Sequence, residues 1–495
     1  MTLRSQKHAA FSIFSKRVQS QETSDPSHHH HISLYFVVTI AAIGGLLVGY
    51  DTAVISGALL FLRVNFTLTP FTEEITVSAA LLGATIGALT GGKLSDIIGR
   101  RKTLIAIAIT FIVGALLTSL ARSLPLFIAL RILVGLSIGA TTCVVPVYIS
   151  EMAPPNVRGT LVTFNQLAIT IGIAIAYWVD LAFATAHMGW PPMYAVTAIP
   201  GTILFIGMLF NEETPRWLAR KGRWDEAYQI LEKLRGMQAK REMEYIRVTL
   251  ANQQKGSMRE LLQPGLRTAL CVGVGLAIFD QLVGINTVIY YAPTIFGYAG
   301  FTSASSAILA TGVIGIVNVL ATIVASTLID KIGRRPLLQW GSIGMAITLG
   351  ALGTIFAVGP QQTGYLTLAV LLIYIVSFAL SMGPVVRLMN AEIYPTRLRA
   401  MGSSIASFAN WNANLLVSFT FLSLIHLLGK PLTFWLYAFL GILAFIFSTI
   451  LVPETKGKSL EQIEHYWRNG RDWEAVSPPP VVHTALPAQK FSEHL

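Results

Sequence analysis

Apolar residues fall along this chain in long blocks, each near the roughly 20 residues a helix needs to cross a bilayer. Six blocks occupy 33–62, 74–97, 103–121, 125–149, 160–184 and 192–210, and six more occupy 265–297, 304–330, 336–358, 364–390, 400–427 and 432–452. Between the two sets, residues 211–263 carry Arg216, Arg220, Lys221, Lys240, Arg241, Glu242 and Glu244. That segment is too polar to span and too long for a turn, which predicts short amphipathic helices lying on one membrane face. The pattern predicts an all-α membrane protein with twelve transmembrane helices in two six-helix bundles. Its parts are a tail (1–31), a first bundle (32–210), cytoplasmic linker helices (211–263), a second bundle (264–452) and a final tail (453–495). The prolines at 478–480 mark a disordered stretch, and the histidines at 28–31 are a short tract with no structural role.

Composition agrees: 53% of the 495 residues are apolar and 12% are charged, about half the charge of a soluble domain. The net charge of +11 would suggest a nucleic-acid partner in a soluble protein. Here it reflects basic loops, so no nucleic acid is expected. Arg100, Arg101, Lys102, Arg158, the 211–263 segment, Lys331, Arg334 and Arg335 would share one side, against Arg63, Arg122 and Lys430 on the other. Basic loops stay in the cytoplasm, which puts both termini there and the chain in the cell (inner) membrane as a monomer within the lipid bilayer. Cys143 and Cys271 lie in apolar segments and read as packing thiols without a disulfide. No nucleotide loop, nucleophile elbow or metal-ligand spacing occurs, so neither an enzyme nor a cofactor nor a metal is expected.

The halves repeat. Asp96, Gly99, Arg100 and Arg101 recur as Asp330, Gly333, Arg334 and Arg335. Glu151, seven residues before Arg158, recurs as Glu392, seven before Arg399, and Glu213-Thr214 recurs as Glu454-Thr455. The offset is about 240 residues each time, as two parallel six-helix repeats with a central linker would give.

Residues 44–60 hold one acid, Asp51, among apolar residues and four glycines. A carboxylate near the middle of a spanning helix costs roughly 2.5–3.5 kcal/mol on insertion scales, which makes it a functional candidate. The glycines would let a neighbour or a substrate approach the backbone. Its expected partner is Arg131, early in the fourth block. An ion pair that opens and closes with conformation would load and release a proton; a fixed structural bridge is the alternative.

With Gly91-Gly92-Lys93, Pro146-Val147-Tyr148-Ile149-Ser150-Glu151, Pro215-Arg216-Trp217-Leu218, Gln281-Leu282-Val283-Gly284-Ile285-Asn286 and Pro453-Glu454-Thr455-Lys456-Gly457, these motifs make the chain resemble the sugar porter family of the major facilitator superfamily. Within it, the chain is most similar to bacterial sugar–proton symporters for xylose, galactose or arabinose. The resemblance implies two bundles rocking about a central site, with Asp51 as the proton-coupling acid beside Arg131. It implies a cytoplasmic gate built from Asp96, Arg100, Arg101, Glu151, Arg158, Glu213, Asp330, Arg334, Arg335, Glu392, Arg399 and Glu454, with the linker helices as a latch. It implies sugar contacts at Gln166, Gln281, Asn286, Tyr290, Tyr291, Asn318, Asn410 and Trp411. Amides suit sugars because each offers a donor and an acceptor to neighbouring hydroxyls. Asp280 and Asn286 would face different ways on a straight helix, but Gly284 permits unwinding that turns both toward one cavity.

Two residues depart from the family pattern: Asp280, where relatives have Gln, and Arg387, where they have Trp. Both positions line the sugar cavity in the family. The expectation is a compensating ion pair between them, with recognition of a charged substrate as the rival. The expected function is import of a pentose or hexose with a proton. The alternatives are a proton-coupled carrier of a sugar acid or other carboxylate held by Arg387, and a non-transporting sugar sensor.

Overall fold

The computed structural model describes residues 27–154, 157–251, 257–359, 363–395 and 397–473. The side chains of Arg158 and of the histidines at 28–31, and the prolines at 478–480, lie outside the described residues. The twelve apolar blocks are twelve helices long and apolar enough to cross a membrane: Tyr35–Asn65, Pro70–Ile98, Arg100–Ser119, Leu124–Met152, Phe164–Thr185, Pro191–Phe210, Leu266–Tyr298, Ala304–Ile332, Arg334–Val358, Gly364–Glu392, Arg399–Leu428 and Lys430–Leu451. They are numbered below as the first to the twelfth span. Many outward positions carry exposed Leu and Ile, such as Leu89, Ile109, Ile347 and Ile450, as lipid-facing helices do.

Packing repeats with a period of six. The first span lies on the fifth, the second on the fourth and the third on the sixth; these recur as seventh on eleventh, eighth on tenth and ninth on twelfth. The halves meet where the fifth packs on the eighth and the second on the eleventh. The same repeat operation exchanges those two contacts.

The glycines of the first span receive a helix, not a substrate. A Cβ on Gly49 would sit 1.9 Å from the carbonyl oxygen of Ile169, and one on Gly172 would sit 2.2 Å from that of Leu46. Only residues without a side chain let these backbones come so close, and without that approach the first and fifth spans would separate.

The 211–263 segment folds as helices Pro215–Arg220, Trp224–Arg235, Ala239–Ala251 and Met258–Leu261. The second turns Ala227, Ile230, Leu231 and Leu234 inward and its charges outward. Arg235 ties it to the chain, pairing with Glu242 at 2.8 Å and donating to the Met152 carbonyl at 2.7 Å. A further helix, Leu460–Arg468, opens with a capping box on Ser459 and buries Trp467 completely. The two thiols are free, and Cys271 is exposed, so the expectation of packing fails for that residue.

Candidate functional site

The seventh and tenth spans are broken at mid-depth. The seventh runs as Leu266–Leu282 and Ile285–Tyr298, hinged at Gly284 with φ +84°, a left-handed conformation that a side chain would strain. The tenth runs as Gly364–Ala379 and Met382–Glu392. Between the halves lies a cavity whose wall includes Gln166, Asp280, Gln281, Asn286, Tyr290, Asn318, Arg387, Asn410 and Trp411. Nine of the ten expected cargo residues therefore converge on one space. The amide-rich lining suits a small polyhydroxy ligand.

The hinge brings Asn286 back over Gln281, donating to its Oε1 at 2.5 Å. Gln281 donates to Asp280 Oδ2 at 2.8 Å, and Asn410 donates to the same oxygen at 3.0 Å. This relay joins both pieces of the seventh span to the eleventh.

Two expectations fail here. Tyr291 does not line the cavity. It is one residue, about 100° of helix, away from Tyr290, fully buried, with its hydroxyl donating to the Ser418 carbonyl at 3.0 Å and its ring against Phe421. The Asp280–Arg387 ion pair does not form either: among the described residues, no carboxylate lies within 4.0 Å of the Arg387 guanidinium. Asp280 is drawn into the wall by the two amides, while Arg387 stays exposed on the same lumen.

Asp51 and Arg131 do meet. Arg131 Nη1 donates to Asp51 Oδ2 at 2.7 Å, and Nη2 donates to the Asp51 carbonyl at 3.1 Å, with both residues 1% exposed. The guanidinium also lies over the Tyr194 ring, 5.1 Å from its centroid. Val48 and Thr52 line the cavity, so the pair sits just behind its wall.

Each half closes an almost identical cluster on the face that carries the linker. Arg100 pairs with Glu151 at 3.1 Å and Asp96 at 2.8 Å; Arg334 pairs with Glu392 at 3.0 Å and Asp330 at 3.1 Å. Thr214 donates to Glu151 at 2.5 Å, and Thr455 donates to Glu392 at 2.6 Å. The third and ninth spans begin on Gly99 and Gly333, which have no side chain to cap the free N–H groups. Glu213 and Glu454 supply those caps from a distance, accepting from the amides of Arg100 and Arg101 and of Arg334 and Arg335. Burial pushes the Glu213 carboxyl above the usual carboxylate range, and the N–H donors of Thr214, Arg101 and Arg100 pull it part of the way back. Arg101 and Arg335 make no ion pair there; they donate to the last carbonyls of the sixth and twelfth spans, Arg101 to Met208 and Leu209 and Arg335 to Thr449. Arg399 stays out of the cluster, with Nε and Nη2 unpartnered. The linker joins through Arg220, which pairs with Asp96 at 3.1 Å, and through Glu260, which pairs with Arg397 in the second half.

On the opposite face, hydrogen bonds join the halves. Ser423 donates twice to the fully buried Glu74, from N and Oγ, each at 2.7 Å. Tyr177 donates to the Ile289 carbonyl at 2.9 Å, and Arg63, paired with Glu73, reaches Thr294 at 3.4 Å. Sequence reasoning missed these, because their partners lie from 112 to 349 residues apart in the chain. It also missed Asp180, fully buried in the fifth span, whose Oδ2 accepts from the Gly57 amide at 3.1 Å while Oδ1 has no partner. The insertion-cost argument applied to Asp51 would have found it.

A family model described as "Sugar (and other) transporter" matches residues 37–467. The chain belongs to that family. Among its relatives, a putative metabolite transport protein of Bacillus subtilis, YwtG, is 43% identical over 89% of this chain and 95% of its own. The galactose-proton symporter of Escherichia coli K12 is 40% identical over 88% of this chain and 95% of its own. The inward-open conformation of the xylose transporter XylE from E. coli superposes with a TM-score of 0.77 at 33% identity, over 88% of this chain and 100% of that one. The fold is accordingly that of the major facilitator superfamily, and the chain is a multi-pass membrane transporter.

Proposed function

We propose that this transporter carries a monosaccharide and a proton together into the cell, by alternating exposure of the central cavity to either side of the membrane. The observation that carries this reading is the buried Asp51–Arg131 pair just behind the cavity wall. A carboxylate there binds a proton only when its arginine moves away, which links protonation to conformation. The amides along the cavity would hold the sugar hydroxyls, and the two Arg/Glu clusters would set which face is shut. In this orientation the linker face is cytoplasmic, with both termini on that side of the cell membrane. Relatives described as galactose-proton and arabinose-proton symporters support the coupling.

The test is uptake into proteoliposomes under a pH gradient. Asp51→Asn keeps size and hydrogen bonding and removes the titrating group. Accumulation against a gradient should vanish, while exchange of substrate at equal concentrations persists. If Asp51→Asn still concentrates substrate, the proton travels elsewhere and the reading fails.

A further inference from the structure

Arg387 is the unsolved charge in the cavity. It lies on the second piece of the tenth span, where Gly383, Pro384 and Arg387 line the lumen together. Three other arginines in the spans each pair with a carboxylate: Arg131 with Asp51, Arg100 with Glu151 and Arg334 with Glu392. Among the described residues Arg387 has no carboxylate within 4.0 Å. Asp280 does not serve, because its Oδ2 is held by Gln281 and Asn410 and its Oδ1 is buried within the wall.

We infer that the cargo of this cavity carries an acidic group and that Arg387 binds it, so that the substrate class is a monosaccharide acid such as a hexuronate or an aldonate. The inference rests on the transport reading. Alternating access requires the lumen to close on the cytoplasmic side, and closure around a guanidinium without a contacting counter-charge is costly. A carboxylate on the cargo supplies that charge in the bidentate geometry a guanidinium favours. A neutral sugar would leave it unmatched. A simple carboxylic acid would leave Gln166, Gln281, Asn286 and Asn410 without the hydroxyls they suit. The negative charge of Asp280 on the same wall works against an anion, so its neutralisation should tighten acid binding.

Proteoliposomes holding the full chain, with an alkaline interior, would be offered labelled D-galacturonate, D-glucuronate and D-gluconate beside D-galactose and D-xylose. At least one acid should accumulate and should compete with any neutral sugar that does. Arg387→Gln should raise the KM for the acid about tenfold or more, the scale of a lost charge-assisted hydrogen bond. Arg387→Lys should recover part of that loss, and Asp280→Asn should lower the KM. Melting curves of each variant establish that it is folded. If neutral sugars accumulate while no acid enters or competes, the inference is overturned and the transport reading stands. If an acid accumulates but Arg387→Gln leaves its KM unchanged, the contact is overturned. If neither class accumulates in the parent, both fall.

Discussion

The two halves of this transporter are built from one plan and differ where the chemistry lies. On the linker face they are near copies: Arg100 with Glu151 and Thr214 in one, Arg334 with Glu392 and Thr455 in the other. Even the substitute helix caps recur, Glu213 over Gly99 and Glu454 over Gly333. At mid-depth the copies part. The first half holds a buried ion pair, Asp51 with Arg131, on unbroken helices. The second breaks two helices and leaves an acid and a base, Asp280 and Arg387, on one lumen without contact. The lesson is a division of labour: both halves carry the same ion-pair cluster on the linker face, the first half buries an ion pair at mid-depth, and the second supplies most of the cavity wall.

The sharpest way to break that comparison is to neutralise one base in each half. Arg131→Gln strands Asp51 without its cation and should cost about 3–5 kcal/mol, the scale for an orphaned buried charge. The double variant Asp51→Asn/Arg131→Gln should recover most of it. Arg387→Gln, with no acid in contact, should cost less than about 1 kcal/mol, as surface-like changes do. Thermal melts of the four proteins check this, and a large loss in Arg387→Gln would mean that the second half hides a pair of its own.

The repeated clusters permit a gentler test. Arg100→Ala and Arg334→Ala should slow turnover by about tenfold each while leaving substrate affinity in place, because a coupling of about 1.4 kcal/mol biases a conformational step. Single-turnover transport beside equilibrium binding would read this. Unequal effects would show that one bundle, not both, sets the rate.

The smallest effect concerns pH. Glu213 has its folded-state pKa raised by burial, so as pH rises through the window between the ordinary carboxylate value and the raised one, the unfolded chain ionises first. Its contribution to stability is therefore present at lower pH and lost as pH rises through that window. Hydrogen-exchange protection factors of the helix Pro215–Arg220, with the intrinsic base-catalysed rate divided out, should fall from acid toward neutral, and Glu213→Gln should flatten the trend.

Much of this was legible in the sequence because a bilayer imposes a coarse rule. Helices must satisfy their own backbone, so twelve apolar blocks became twelve spans with ends within a few residues of the expected ones. Asp51 stood out by its cost, Arg131 as the arginine expected to offset it, and the linker-face clusters by their repetition. Gly284 announced the break in the seventh span, since it relieves a backbone strained for other residues.

What the tertiary structure decided was which side chains touch. Tyr290 and Tyr291 are neighbours in sequence, yet helix geometry sends one into the cavity and the other into the core. Asp280 and Arg387 share a lumen but not a hydrogen bond, because two amides hold the acid in the wall. Glu74 and Ser423 meet across 349 residues only because the second span packs on the eleventh. Sequence determines where polar groups can cross a membrane, through the cost of leaving backbone and charge unsatisfied. Their partners are fixed by helix rotation and packing, which depend on every neighbour at once.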